Sequence, residues 1–167
     1  MNEDKRIESI LDEILAQHIE LNKKLFELIK NERHCLIHNK LDALDEVNNE
    51  KLALRCEIAE VEKKRMMHIT DFVKKYGLSK AHVRLEDIIC VVPEPYKSSY
   101  KMKRDLLRNL LKKIKILHDG NKIFIQRSLN FQERAFMLLF GFTQQKVQYG
   151  ARGEVQHNKK PLFDSVA

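Results

Sequence analysis

Apolar residues recur at helical spacing along most of this chain. In the first run every seventh position is apolar, at Ile7, Ile14, Leu21, Leu28 and Cys35. A seven-residue repeat keeps these side chains on one face of a helix, so the sequence predicts an amphipathic helix over residues 3–38. Asn39 follows this run, and asparagine is one of the residues that can end a helix.

A second apolar repeat begins within a few residues and predicts a helix over residues 41–76. Its apolar positions are Leu44, Val47, Leu54, Ile58, Val61, Ile69 and Phe72. Gly77 then supplies a C-terminal stop. Because so short a connection cannot carry the chain elsewhere, the two helices must be antiparallel neighbours. The sequence therefore predicts a helical hairpin.

A third and longer pattern predicts a helix over residues 96–142, a stretch with no proline. Spacings of three and four alternate through Leu107, Leu110, Ile114, Leu117, Asn121, Phe124, Ser128, Phe131, Ala135, Leu138 and Phe142. Before this helix, residues 85–92 (LEDIICVV) fit either a short helix or a strand, and we favour the helix. Residues 143–167 are polar and show no period.

These patterns predict an all-α protein in which an N-terminal antiparallel hairpin packs on one long C-terminal helix. We expect a single, elongated, coiled-coil-like bundle domain over residues 1–142 and a disordered, flexible tail over residues 143–167. The core is expected between the hairpin and the long helix. It should include Leu21, Leu28, Ile58, Val61, Leu110, Leu117 and Phe124.

Composition indicates the cellular compartment in which this protein is expected. Charged residues make up 33% of the 167 residues, and no segment approaches the roughly 18 consecutive apolar residues of a membrane span. The N-terminus has no basic flank followed by an apolar run. The three cysteines are widely spaced and odd in number, which is a poor disulfide framework. We therefore expect a cytoplasmic protein with reduced thiols and no membrane insertion.

No residue grouping in the chain points to catalysis. The phosphate-binding patterns GxxxxGK[ST] and GxGxxG are absent, as is the nucleophile pattern GxSxG. His34 and His38 share a helix face beside Cys35, but no nearby acidic or cysteine pair completes a zinc site. A solvated helix end explains them better. The sequence predicts no enzyme activity, no metal and no cofactor.

The formal net charge of +7 suggests an anionic partner, and part of it forms a stripe on the long helix. The stripe comprises Lys101, Arg104, Arg108, Lys112 and Lys115. Such a row would suit phosphates, yet no aromatic residues alternate with it and no known DNA-docking motif is present. A solvated face is the simpler interpretation, and an acidic protein surface stays open as a partner.

The end of the long helix carries a second apolar row, well over 90° around the axis from the first. Its residues are Ile125, Leu129, Phe136 and Phe140. One explanation is that this helix is sandwiched between two others in a bundle. The alternative is that the row binds an amphipathic helix of another protein.

Three stretches of the sequence resemble the FlgN family of flagellar export chaperones. They are the restart of the hairpin, NKLDALDEVNNEKLAL, the end of the long helix, NKIFIQRSLNFQERAFMLL, and the tail segment VQYGARGEV. The last is similar to the family's Y-G-A-D-G signature, although Arg152 stands where the family usually has aspartate. The resemblance covers most of the chain.

This resemblance implies a non-enzymatic cytosolic chaperone. It would hold the helical C-terminal segments of the hook-associated (hook filament junction) proteins, prevent their premature assembly and deliver them to the cytoplasmic domain of the export gate. We expect clients at Ile125, Leu129, Phe136, Phe140 and Phe142.

We expect Tyr149 to dock on the gate, with Gly150 and Gly153 letting the backbone turn; alternatively, Tyr149 folds back onto the bundle. The chaperone should be a monomer or weak dimer that binds no nucleic acid. A basic coiled-coil nucleic-acid binder and a self-associating structural protein remain the alternatives.

Overall fold

The computed structural model describes the backbone of residues 2–78, 83–140, 148–149 and 155–156, and the side chains of residues 7–78 and 83–139. Its elements are α1 (Asn2–Ile37), α2 (Leu41–Tyr76), α3 (Leu85–Val91), α4 (Tyr96–Phe140), β1 (Gln148–Tyr149) and β2 (Val155–Gln156). The prediction of an all-α protein is confirmed. The chain divides into two compact units, Met1–Ile125 and Gln126–Ala167, and α4 contributes to both. The predicted boundary between a bundle and a tail at residue 142 stays a prediction.

Helices α1 and α2 form the predicted antiparallel hairpin. Ion pairs join Glu8 to Lys75 at 2.6 Å and Glu32 to Lys51 at 2.6 Å, so residues early in α1 lie beside residues late in α2. Asn39 adopts a left-handed φ of 53° in the turn. The Lys40 amide then donates to the Cys35 carbonyl oxygen at 3.0 Å, which satisfies one of the last carbonyls of α1.

The segment that sequence left open between helix and strand is the helix α3. Gly77 ends α2 with a left-handed φ of 60°. Ahead of α3, the backbone N–H of Arg84 donates to the carboxylate of Asp87 at 2.9 Å. A carboxylate in the first turn also complements the helix dipole, so α3 has a local reason to begin at Leu85.

The buried core lies where α1, α2, α3 and the start of α4 meet. It comprises Leu11, Leu15, Ile69, Phe72, Ile88, Ile89, Val92 and Tyr100. Of the seven core residues expected from sequence, only Val61 is buried; Phe124 is 41% exposed and the other five are half-buried. The expectation was wrong for Phe124. The reason is that α3 covers the hairpin at one end only, and three helices alone enclose little volume.

Helix α4 runs parallel to α1 in a fixed register. The Tyr100 hydroxyl donates to the Glu8 carbonyl oxygen at 2.7 Å, and Lys103 pairs with Asp12 at 2.7 Å. About twenty residues later, the Asn121 side-chain amide donates to the Ile29 carbonyl oxygen at 3.0 Å. Each contact joins residues that lie about ninety positions apart in the sequence, so the two helices keep the same direction and register.

A buried histidine lies between the two helices of the hairpin. The side-chain amide of Asn22 donates to His18 Nδ1, so the neutral ring carries its proton on Nε2, which lies 3.4 Å from a Glu62 carboxylate oxygen. Burial lowers the pKa of His18 below its usual 6.5; Glu62 opposes this change and Arg65 adds to it. His18 is therefore neutral in the folded protein at neutral pH.

Phe72 tests the position of the core. Replacing Phe72, which is fully buried, with alanine should lower the free energy of unfolding by roughly 3–5 kcal/mol, because it removes a large apolar group and leaves a cavity. The matched control is Phe131→Ala at an exposed position, where we expect a change within about 0.5 kcal/mol. Urea titrations followed by circular dichroism measure both. Equal losses would contradict the core described here.

His18 makes stability depend on pH below neutrality. Because its folded pKa is lowered, the unfolded chain binds the proton more readily, and the free energy of unfolding should fall as pH decreases from 7 through 6.5. In His18→Gln this slope should shrink, by up to about 1.4 kcal/mol per pH unit. Urea titrations between pH 7 and 5.5 measure it. His118→Gln, at an exposed position, is the control, and an equal change there would refute the assignment.

Candidate protein-binding site

The last part of α4, within the unit Gln126–Ala167, exposes a set of large apolar side chains. We call this set the terminal apolar surface. It comprises Leu129, Phe131, Phe136, Met137, Leu138 and Leu139. Leu138 is 81% exposed, Leu139 79% and Phe131 73%, values that are high for residues of this size on a folded protein. Because large exposed apolar patches often mark interaction sites, this set is a candidate binding surface.

Two rows stand out on this surface. Leu129 and Phe136, seven residues apart, share one side of the helix, and they are 58% and 53% exposed. Phe131 and Leu138 share another. At about 100° per residue the rows lie roughly 160° apart around the axis. Leu139 lies about 60° from Phe136, so the first row is wider than the second.

The client-binding residues expected from sequence fall into three groups. Leu129 and Phe136 are exposed on the terminal apolar surface. Ile125 is half-buried and belongs to the unit Met1–Ile125. The side chain of Phe140 and the whole of Phe142 lie outside the described residues. Their predicted role stays a prediction.

Sequence reasoning did not propose Phe131 and Leu138 for binding. Both fit the repeat of the long helix, which was assigned to the face toward the hairpin, yet both are strongly exposed. Their apolar character was the only signal available. A repeat shows which residues share a face, and it does not show whether another helix of the same chain covers that face.

Polar residues separate the apolar rows. Arg127, Glu133 and Arg134 are exposed, and no ion pair joins residues within the described stretch 126–139. One acid and two bases impose little charge preference on a ligand. Binding to this surface would therefore depend on buried apolar area.

Tyr149, the expected docking residue for the export gate, lies in a short antiparallel pair of strands. Its backbone pairs with Val155, and that of Gln148 pairs with Gln156. Antiparallel pairing requires the chain to reverse direction between Tyr149 and Val155. Gly150 and Gly153 fall in this connection, which lies outside the described residues, as does the side chain of Tyr149.

In the described part of the chain, the other candidate ligand residues do not form a site. The rings of His34 and His38 lie with their centroids 4.1 Å apart and their planes tilted by 35°, and His38 Nδ1–H donates to the His34 carbonyl oxygen. Among the side chains that the structure describes, no three of the residue types His, Cys, Asp and Glu come together to hold a metal ion. None of the described helices is long and apolar enough to cross a membrane.

The basic stripe of α4 is mostly solvated. Lys101, Arg108, Lys112 and Lys115 are exposed, and Arg108 pairs with Glu86 of α3 at 3.0 Å. Arg104 pairs with its neighbour Asp105 at 2.8 Å. Two of the five cations thus have carboxylate partners within the protein, which weakens the case for a phosphate-binding row.

Comparison with known protein families matches residues 6–157 to the family described as FlgN protein. The chain belongs to the FlgN family. FlgN proteins are flagellar export chaperones, a family of binding proteins and not of enzymes, and membership implies binding of flagellar export substrates. No curated protein and no solved structure matches this FlgN chain.

Proposed function

We propose that this protein is a cytoplasmic chaperone for hook-associated (hook filament junction) proteins. It binds the helical C-terminal segments of these clients, keeps them from assembling early and delivers them to the export gate. The observation that supports this proposal is the terminal apolar surface of α4, whose side chains are exposed on an otherwise highly charged protein. Family membership gives the class of client, and this surface offers a place for it.

The proposed contact is helix against helix. A client helix with apolar residues at i, i+3, i+4 and i+7 presents a stripe that can lie along one row of α4. We assign the row of Leu129 and Phe136, because Leu139 widens it on one side. Sequence extends the same row to Ile125 and Phe140, with Phe142 at the predicted helix end.

Charge reversal by row tests the assignment. In Leu129→Glu/Phe136→Glu, a carboxylate would have to be buried against the client helix, so affinity for a hook-associated C-terminal peptide should fall at least roughly thirtyfold. The melting temperature should change little, because both side chains are exposed. Isothermal titration calorimetry and thermal melts measure the two effects.

The matched control is Phe131→Glu/Leu138→Glu on the other row, which should keep client affinity within about threefold. If this control loses client binding while Leu129→Glu/Phe136→Glu keeps it, the client binds the row of Phe131 and Leu138, and our assignment is wrong. If the first variant unfolds, its row is core and the assignment fails as well.

We further propose that Tyr149 contacts the cytoplasmic domain of the export gate. A tyrosine offers a large apolar ring with only two rotatable angles and a hydroxyl for a partly wet interface. Its backbone pairs with that of Val155, and Gly150 and Gly153 fall in the connection between the two strands.

Replacing Tyr149 with alanine should abolish binding to the purified gate domain and leave client affinity and melting temperature unchanged. Gln148→Ala, at the neighbouring position of β1, should retain gate binding. Tyr149→Phe separates the ring from the hydroxyl. A lower melting temperature with intact gate binding would show instead that Tyr149 packs against the protein.

A further inference from the structure

The hairpin carries a long surface groove that the proposed function does not use. Two adjoining stretches of the groove, with volumes of about 690 and 610 Å³, share Glu20 and Glu57 and so form one continuous channel between α1 and α2. Its floor is apolar. The floor residues are Leu21, Leu28, Leu54 and Val61.

The groove faces away from α4. Asp12 of α1 pairs with Lys103 of α4 at 2.7 Å, which marks the side of α1 that α4 covers. Leu21 lies nine residues later, which at about 100° per residue is roughly 180° around the axis. Packing of α4 therefore leaves the groove open.

The α2 edge of the groove is negative overall, because it carries three glutamates and one lysine, Lys64. Glu50, Glu57 and Glu60 follow one side of α2, all are exposed, and none has a cationic partner in the described part of the chain. The α1 edge has no such excess of acid, because Glu20 pairs with Lys23 and Glu27 pairs with Lys30, each at 2.7 Å. Lys23 and Lys24 line this edge as well. The chain as a whole carries +7. The unpaired negative edge is thus a local departure from the charge of the protein.

We propose that this groove binds an amphipathic helix of a partner protein that carries lysine or arginine beside its apolar stripe. The α1 side of the groove runs from Gln17 to Leu28, about 17 Å, which matches three turns of a bound helix. Apolar residues of that helix cover the floor. Its basic residues pair with the α2 edge, which sets the direction and facing of the helix.

A second copy of this chain fits the groove less well than another protein. The basic helix that a copy could offer is α4, with Lys101, Lys112 and Lys115 exposed. The groove and α4 lie on opposite sides of α1, so such a contact would be head-to-tail and would not close into a dimer. It would extend into open chains of molecules.

The groove is separate from the proposed client surface and lies within the unit Met1–Ile125 alone. The test uses two synthetic 18-residue amphipathic peptides with the same leucine stripe, one flanked by lysines and the other by glutamates. Fluorescence anisotropy with the full chain should show at least tenfold tighter binding of the lysine peptide. Equal affinities would overturn the proposal.

Charge reversal then places the binding at the α2 edge. Glu50→Lys/Glu57→Lys/Glu60→Lys should abolish or invert the preference for the lysine peptide. The matched control, with the same change in net charge, is Asp45→Lys/Asp119→Lys/Glu133→Lys, three exposed acids that do not line the groove, and it should keep the preference. A preference lost equally in both variants would show non-specific attraction and overturn the proposal.

Two free cysteines give a readout that needs no variant. Cys56 lines the groove, and Cys90 of α3 does not; both are exposed. The lysine peptide should slow maleimide modification of Cys56, measured by mass spectrometry, and leave Cys90 unchanged. Unchanged modification of Cys56 with bound peptide would overturn the site.

Two further measurements test whether a second copy of this chain fills the groove and whether the peptide binds the client surface instead. Light scattering should show no groove-dependent growth of oligomers; open chains that disappear in the Glu50/Glu57/Glu60 variant would assign the groove to a second copy and overturn the proposal. Leu129→Glu/Phe136→Glu should bind the lysine peptide as the unmodified chain does. Failure of the client assignment would leave that result unchanged, so the two proposals fail separately.

Discussion

A buried polar layer links three helices and determines where α4 lies along the hairpin. The Asn121 amide donates to both the Ile29 carbonyl oxygen and the Glu32 carboxylate at 3.0 Å, and Lys51 of α2 pairs with the same carboxylate. Sliding α4 by one turn would separate Asn121 from both acceptors. The Glu32–Lys51 pair would remain, but losing the hydrogen bond from Asn121 to the buried carboxylate costs about 1.5–3 kcal/mol, so the layer disfavours other registers. Within the unit Met1–Ile125, this contact determines which residues of α4 lie beside α1.

The sequence contained the signals for the helices and for the turn between the first two. Asn39 and Gly77 both adopt the left-handed conformation that ends a helix, and the repeat shows which residues share a face. The extent of the core was not predictable in the same way, as Phe124 shows. An apolar face looks the same in sequence whether its partner is in the same chain or in another protein. The sequence therefore does not show whether the terminal apolar surface and the groove are covered by another helix of the same chain.

The short helix α3 explains why this fold retains uncovered apolar surface. It adds Ile88 and Ile89 to the core at one end of the hairpin, where Phe72 and Tyr100 become fully buried. Elsewhere, among the helices that the structure describes, α4 alone packs on one side of the hairpin, so the other side remains a groove. Charged residues make up 33% of the chain, and they favour solubility despite these exposed apolar stretches.

Exposed apolar surface is less prone to cause aggregation on a helix than on the edge of a sheet. Every backbone group in the middle of α4 is already hydrogen-bonded within the helix, so the surface offers side chains but no unpaired backbone edge to template aggregation. Selectivity must then come from the side chains alone. If both surfaces bind helices as we propose, the terminal apolar surface, with little net charge, would select by shape and apolar area, whereas the groove adds the row of Glu50, Glu57 and Glu60. Two helices of similar hydrophobicity would therefore be sorted between these surfaces by the charge beside their apolar stripe.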